Sequence, residues 1–379
     1  MPNMLDYLDW RGDIPFSASP FNEVDNLLLS HLAYLELDGI VPSPAQGGAI
    51  TLRQAGVAYA EKFGAADKSL WPPLKFNVME MLRRMQDTPR FDKCRLSRYV
   101  NIISMKQECQ FSAVTVALPD GSLYLAFSGT DNSVAGWKEN FNLSFLSETA
   151  GQLYAVQYVE KASPYWRRRM RLGGHSKGGN FAVYAAAHVR PSVGERILAV
   201  YNNDGPGFRE SLLTQEAYQK ILPRVHTVLP RSSVIGRLLE HGERYDVVES
   251  DGNGILQHDA MTWQVKGTAF LHCDALDADS DFMDKTLSAW VADVDLEQRR
   301  QFVDALFAVI TAAHIEDTDE LTRLDLAKIS ALVKARDGLS PESREVLDRT
   351  LRLLLEEMYR GLKERRRQEK TAAKKPAGK

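Results

Sequence analysis

Residues Gly174-His175-Ser176-Lys177-Gly178 place a serine between two glycines, directly after a short apolar run and directly before an alanine-rich one. Arg169 to Leu172 reads as a strand, and Phe181 to Val189 carries strong helix formers without a breaker. A turn this sharp from strand to helix leaves no room for side chains two residues either side of the serine, so glycine is required at both positions. Ser176 is then held out at the carboxyl end of the strand, in the arrangement of a nucleophile elbow. A phosphate-binding loop is excluded, because the Gly-Lys-Ser/Thr order that would bring a lysine to phosphates is absent. Gly174, His175 and Gly178 therefore belong to the elbow, with Ser176 as its candidate nucleophile.

A serine hydroxyl attacks only when a histidine takes its proton and a carboxylate fixes that histidine. Among downstream histidines, His188 falls on the helix after the elbow and His226 in mid-strand, while His272 and His314 come late. His241 lies between elements. His258, in Gly252-Asn-Gly-Ile-Leu-Gln-His-Asp259, follows the last core strand, where a mobile base is expected, and is preferred. Asp204, in Tyr201-Asn-Asn-Asp-Gly-Pro-Gly207, stands at the end of the strand that follows the elbow helix and is the preferred acid over Asp246, Asp251 and Asp259. Oxyanion donors are expected from the backbone N–H groups of Lys177 and of Thr130, the latter in Ser128-Gly-Thr-Asp131. Trp137 follows as a pocket-bordering or packing residue. No metal or organic cofactor is implied.

The wider chain suits an α/β sheet. Phe21 to Leu35 spaces Val24, Leu27, Leu28, His31, Leu32 and Leu35 on one helical face. Residues 42–96 read as helical pieces. Phe111 to Leu118 and Leu123 to Ser128 flank Pro119-Asp-Gly121 as a hairpin. Thr149 to Ala162 is a helix, and β-rich runs recur at 197–201, 225–229, 245–248 and 263–270. From residue 281 the pattern turns helical. Asp295 can cap a helix with an apolar stripe from Phe302 to Ile310, and Ser340-Pro341 opens another. This gives a catalytic domain over 1–275, a helical appendage over 281–365 that either packs on the sheet, the preferred reading, or serves as a cover over the pocket or a dimer surface, and a basic, solvated tail over 366–379.

With 379 residues, 44% hydrophobic and 26% charged, the chain is long enough for such a core, and a net charge of −3 offers nucleic acid no attractive field. Three scattered cysteines form no metal or disulfide pattern, which fits a reducing cytoplasm. Neither a secretory signal nor a transmembrane run is present.

Leu125-Ala-Phe-Ser-Gly-Thr130 with Trp137, and Gly174 to Gly178, resemble the class 3 lipases. Taken with Trp10-Arg-Gly-Asp13, Phe21 to Asp25, Asn203 to Gly207 and Gln257-His-Asp259, the likeness over residues 1–270 is strongest to a bacterial family of lipase-like domains of unknown function. Two positions depart from class 3 lipases: Ser128 replaces an arginine, and Leu229 to Gly236 lacks the usual aspartate. Asp204 instead resembles the acid position of pancreatic-type lipases. The resemblance implies an α/β-hydrolase fold, a mostly parallel sheet with helices on both faces, and a serine hydrolase acting on an acyl ester or lipid. Acyl transfer to an alcohol uses the same residues, and an inactive interaction module would keep the same elbow.

Overall fold

The computed structural model describes residues 1–64, 73–162, 168–277, 280, 294–315, 325–353, 356 and 359. The central element is a nine-stranded mixed sheet. Its strands are β1 (Ile50–Thr51), β2 (Arg95–Ser104), β3 (Cys109–Ala117), β4 (Leu123–Phe127), β5 (Met170–His175), β6 (Ile197–Asn203), β7 (Val225–Pro230) and β8 (Tyr245–Val248). A separate two-stranded ladder, β9 (Val265–Lys266) with β10 (Ala269–Phe270), precedes the last sheet strand, β11 (His272–Cys273). Strands β4 to β8 run parallel in chain order, and β1 to β4 and β8 with β11 are antiparallel.

The alternation along β4 shows why its sequence is apolar throughout. Tyr124 and Ala126 enter the core on one side of the sheet, and Leu123, Leu125 and Phe127 enter the core on the other. A strand covered on both faces needs hydrophobic residues at both parities. Helix α1 (Met4–Arg11), α2 (Glu23–His31), α3 (Leu52–Phe63) and α4 (Pro73–Met85) build the first side, and α6 (Ala150–Ala162) with α7 (Lys177–His188) the second. Helix α5 (Val134–Asn142) follows the loop after β4.

Three sequence expectations change. Residues 95–104, outside the expected helical pieces except at their first two positions, form the long strand β2, whose register slips between Ser97 and Val100 where Arg98 takes φ 58°. The bulge and mixed burial erase the period-2 signal. The run 263–270 yields two short strands, not one. The C-terminal helices Leu296–Ala312 and Leu326–Asp337, with helical residues 341–353, do not rest on the sheet. They form a third core with Val134 and Phe145 around α5, where Phe141 meets Phe307 edge-on at 5.8 Å and Lys138 pairs with Asp304 at 3.0 Å. Asp295 caps the first of them through Gln298 N–H. The expected onset at 281 and the basic stretch 366–379 lie outside the described residues. No described helix is long and apolar enough to cross a membrane.

Candidate active site

Ser176 is the single residue between β5 and α7, with φ 58° and ψ −134°. A non-glycine residue in the left-handed region costs of order 1–3 kcal/mol and persists only where its surroundings over-determine it. Here they do. Ser176 N–H donates to Asn203 O at 2.9 Å, and Ser176 O accepts from Gly179 N–H at 2.9 Å. The flanking glycines are demanded by contact. A Cβ on Gly178 would lie 2.2 Å from Phe127 O, and one on Gly174 would lie 2.3 Å from the Gly178 carbonyl carbon. Helix α7 thus reaches the sheet as closely as backbone allows.

Asp204, at the end of β6, is buried and also left-handed at φ 51°. Its N–H donates to Val228 O at 2.8 Å. Its Oδ1 accepts from Ser233 Oγ at 2.5 Å and from Gly236 N–H at 3.2 Å. Its Oδ2 lies 2.6 Å from His258 Nδ1, and His258 Nε2 lies 3.0 Å from Ser176 Oγ. A carboxylate oxygen accepts, so Nδ1–H donates to Asp204, and in that tautomer of the neutral ring Nε2 is the acceptor that faces the serine hydroxyl. The structure therefore brings Ser176, His258 and Asp204 into one hydrogen-bonded chain. His258 comes from a short 3-10 helix, Gly254–His258, and its side chain is 26% exposed, so the chain opens to solvent through the imidazole.

The loop before α5 borders the serine. A Cβ on Gly129 would lie 2.9 Å from Ser176 Cβ, which places Thr130 one residue from that contact, and Thr130 Oγ1 donates to Asn140 Oδ1 at 2.9 Å. Lys177 is the first residue of α7, where backbone N–H groups have no intrahelical acceptor. Its ammonium points away from the serine, into a buried cluster. Lys177 Nζ reaches Glu139 Oε2 at 2.8 Å and Gln110 at 3.0 Å and 2.9 Å, with both charged side chains essentially without exposure. Trp137, on α5, is exposed.

The competing residues are elsewhere occupied. His188 Nδ1–H donates to Tyr184 O at 2.8 Å, within its own helix, and His226 stacks on Tyr201. His272 pairs with Glu23, and Asp259 accepts from Met261 N–H. Asp246 is exposed on β8, and Asp251 accepts from Gln264. His241 lies between Gly236 O at 2.6 Å and Glu243 Oε1 at 3.0 Å, so it steadies the loop whose N–H holds Asp204.

Burial would raise the Glu243 carboxyl, but hydrogen bonds from His241, Thr227 and Tyr218 hold it down at about 2. A depressed carboxyl stabilises the fold above its ordinary value of 4.5 and loses that contribution as pH falls towards 2. Glu243→Gln is therefore expected to be less stable at neutral pH and to show a flatter loss of stability between those limits. Urea unfolding as a function of pH checks this, and an unchanged pH slope in that window counts against it.

Sequence reasoning missed the supports of Asp204. The Leu229 to Gly236 segment lacks an aspartate, yet it supplies Ser233 Oγ and Gly236 N–H to one. It also missed Asn180, whose Nδ2 donates to Pro206 O at 3.1 Å and Gly207 O at 2.9 Å, tying the elbow helix to the Asp204 loop. The Gly-Gly-Asn run after Lys177 was the available signal.

A family profile described as Mbeg1-like matches residues 85–308, more than half of the chain. Among solved structures, the crystal structure of M37 lipase aligns at 12% identity and a TM-score of 0.31, covering 49% of this chain and 69% of that one. No curated protein matches.

Proposed function

This chain belongs to the Mbeg1-like family of lipase-like domains, and we propose that it is a serine hydrolase of the α/β-hydrolase type that cleaves a carboxylic ester or thioester. The observation that carries this reading is the unbroken path from Ser176 Oγ through His258 to Asp204, at 3.0 Å and 2.6 Å. As Ser176 Oγ attacks the acyl carbon, its proton passes to His258 Nε2. Asp204 keeps Nδ1–H in place and stabilises the imidazolium that results. The carbonyl oxygen gains negative charge, which the backbone N–H groups of Lys177 and Thr130 receive. The tetrahedral adduct collapses by breaking the bond to the alcohol or thiol, which leaves with the proton from Nε2. Water, deprotonated by the same imidazole, then attacks the acyl-serine, and Ser176 recovers its hydrogen.

In this reading residues 1–275 form the catalytic domain. The C-terminal helices are an appendage that braces α5, the helix following the Thr130 loop.

A fluorophosphonate probe tests the proposal, since it phosphonylates only an activated serine. Labelling is expected on Ser176 and is expected to vanish in Ser176→Ala. A folded protein that takes no label would instead be an inactive module that keeps the elbow as architecture. Product analysis with an added alcohol separates hydrolysis from acyl transfer.

A further inference from the structure

Beneath the base lies a second imidazole that the reaction does not use. His175, the last residue of β5, is 4% exposed, and its ring centroid sits 4.7 Å from that of His258. His175 Nε2 is 2.8 Å from His258 O. A carbonyl can only accept, so Nε2 carries the hydrogen. Burial, together with the neighbouring imidazoles of His258 and His31, pushes His175 well below the ordinary imidazole range, so the ring is neutral and Nδ1 is an acceptor. The Tyr34 hydroxyl, 2.9 Å from Nδ1, then donates to it. The same hydroxyl lies 3.4 Å from His175 O and packs against Gly129. Glycine is obligatory there, because a Cβ at 129 would lie 2.0 Å from that oxygen.

These bonds form one directed line, Tyr34 O–H to His175 to His258 C=O. Its Tyr34 end packs against Gly129, in the loop that carries Thr130, so the line runs from that loop to the backbone of His258. His258 ends a five-residue 3-10 helix, whose own hydrogen bonding is too brief to fix its terminus. His175 also packs against His31, ring centroids 5.2 Å apart and tilted by 32°, and His31 Nδ1 is 2.8 Å from Leu27 O, so the strut is backed by α2.

We propose that Tyr34 and His175 are positioning residues, a strut hydrogen-bonded to the backbone of the base and packed against the oxyanion-side loop, which sets the distance between the two. Its effect on rate rests on the hydrolase reading, whereas its effect on His258 does not. A displacement of about 1 Å at a reacting group can cost on the order of 10²-fold in rate.

The test uses the full chain and three variants. His175→Phe keeps an aromatic ring and removes both hydrogen bonds, His175→Gln restores an N–H donor towards His258 O, and Tyr34→Phe removes one link. Two quantities are read on folded protein: the second-order rate of fluorophosphonate labelling, and the far-downfield proton resonance of His258 Nδ1–H in its bond to Asp204. His175→Phe is expected to slow labelling about 10²-fold and to broaden the resonance into exchange. Tyr34→Phe should slow labelling about tenfold, the worth of one hydrogen bond, and His175→Gln should recover most of the lost rate and signal.

Wild-type rate and an unchanged resonance in His175→Phe overturn the strut, and so does slowing by His175→Phe that His175→Gln leaves uncorrected. If His175→Phe does not fold, Tyr34→Phe decides by the same criteria. If the wild type takes no label, the hydrolase reading falls, and the resonance alone decides the strut: its loss in either variant supports the coupling, and its persistence in both removes it.

Discussion

His258→Ala is expected to lower turnover of an activated ester by about 10⁵- to 10⁶-fold, and Ser176→Ala by a similar factor, because nucleophile and base act as one unit. Each forms a link of the same proton path, so removing both should cost little more than removing either. Asp204→Asn should cost about 10⁴-fold, since an amide accepting from Nδ1–H cannot stabilise the imidazolium as a carboxylate does. His241→Ala should lose less than tenfold. Its imidazole touches Gly236 and Glu243 and reaches Asp204 only through the loop. Steady-state kinetics on the four variants decides between the two histidines. A His258→Ala enzyme within tenfold of wild type, beside an inactive His241→Ala, would move the base to residue 241.

The largest expected loss of stability follows from Lys177. In Lys177→Met the Glu139 carboxylate stays in the interior with the neutral N–H groups of Gln110 and Gly151, at 3.1 Å and 2.7 Å, and no cation to receive it among the described contacts. Removing one member of a buried pair costs about 3–5 kcal/mol, chiefly the energy of the stranded charge. Adding Glu139→Gln should return part of that loss, because a neutral amide still offers an oxygen to one N–H and carries no charge to desolvate. Urea unfolding of both proteins checks the order. A single variant within about 1 kcal/mol of wild type would mean that water reaches the site, contrary to its burial.

The elbow was legible in the sequence because every requirement on it is local: a tight turn needs glycine at 174 and 178, and the strand and helix on either side show their own composition. His258 and Asp204 could be selected because each follows a strand, and strand ends in a parallel sheet gather at one rim. The partners of those residues were not legible. Tyr34 lies 141 residues from His175, and Ser233 lies 29 from Asp204. Periodicity tells which face of an element is buried but not what covers it. For the same reason the stripe Phe302 to Ile310 announced an apolar face, while its partner proved to be α5 and not the sheet. Strand β2 escaped because its bulge at Arg98 breaks the alternation on which strands are recognised.

Helix α2 lies wholly upstream of the segment that the family profile spans. Its Asn26 donates to Asn203 Oδ1 at 2.9 Å, Ser30 shares a hydrogen with Tyr124 at 2.8 Å, and the 3-10 turn Leu32–Tyr34 follows it directly. A fragment starting at residue 85 would expose Tyr124, Asn203 and His175 to water on one side of the sheet, stripping the elbow of its floor. The boundary for excision, for domain shuffling or for a library of chimeras therefore belongs ahead of Glu23, more than sixty residues before the segment that the family profile spans.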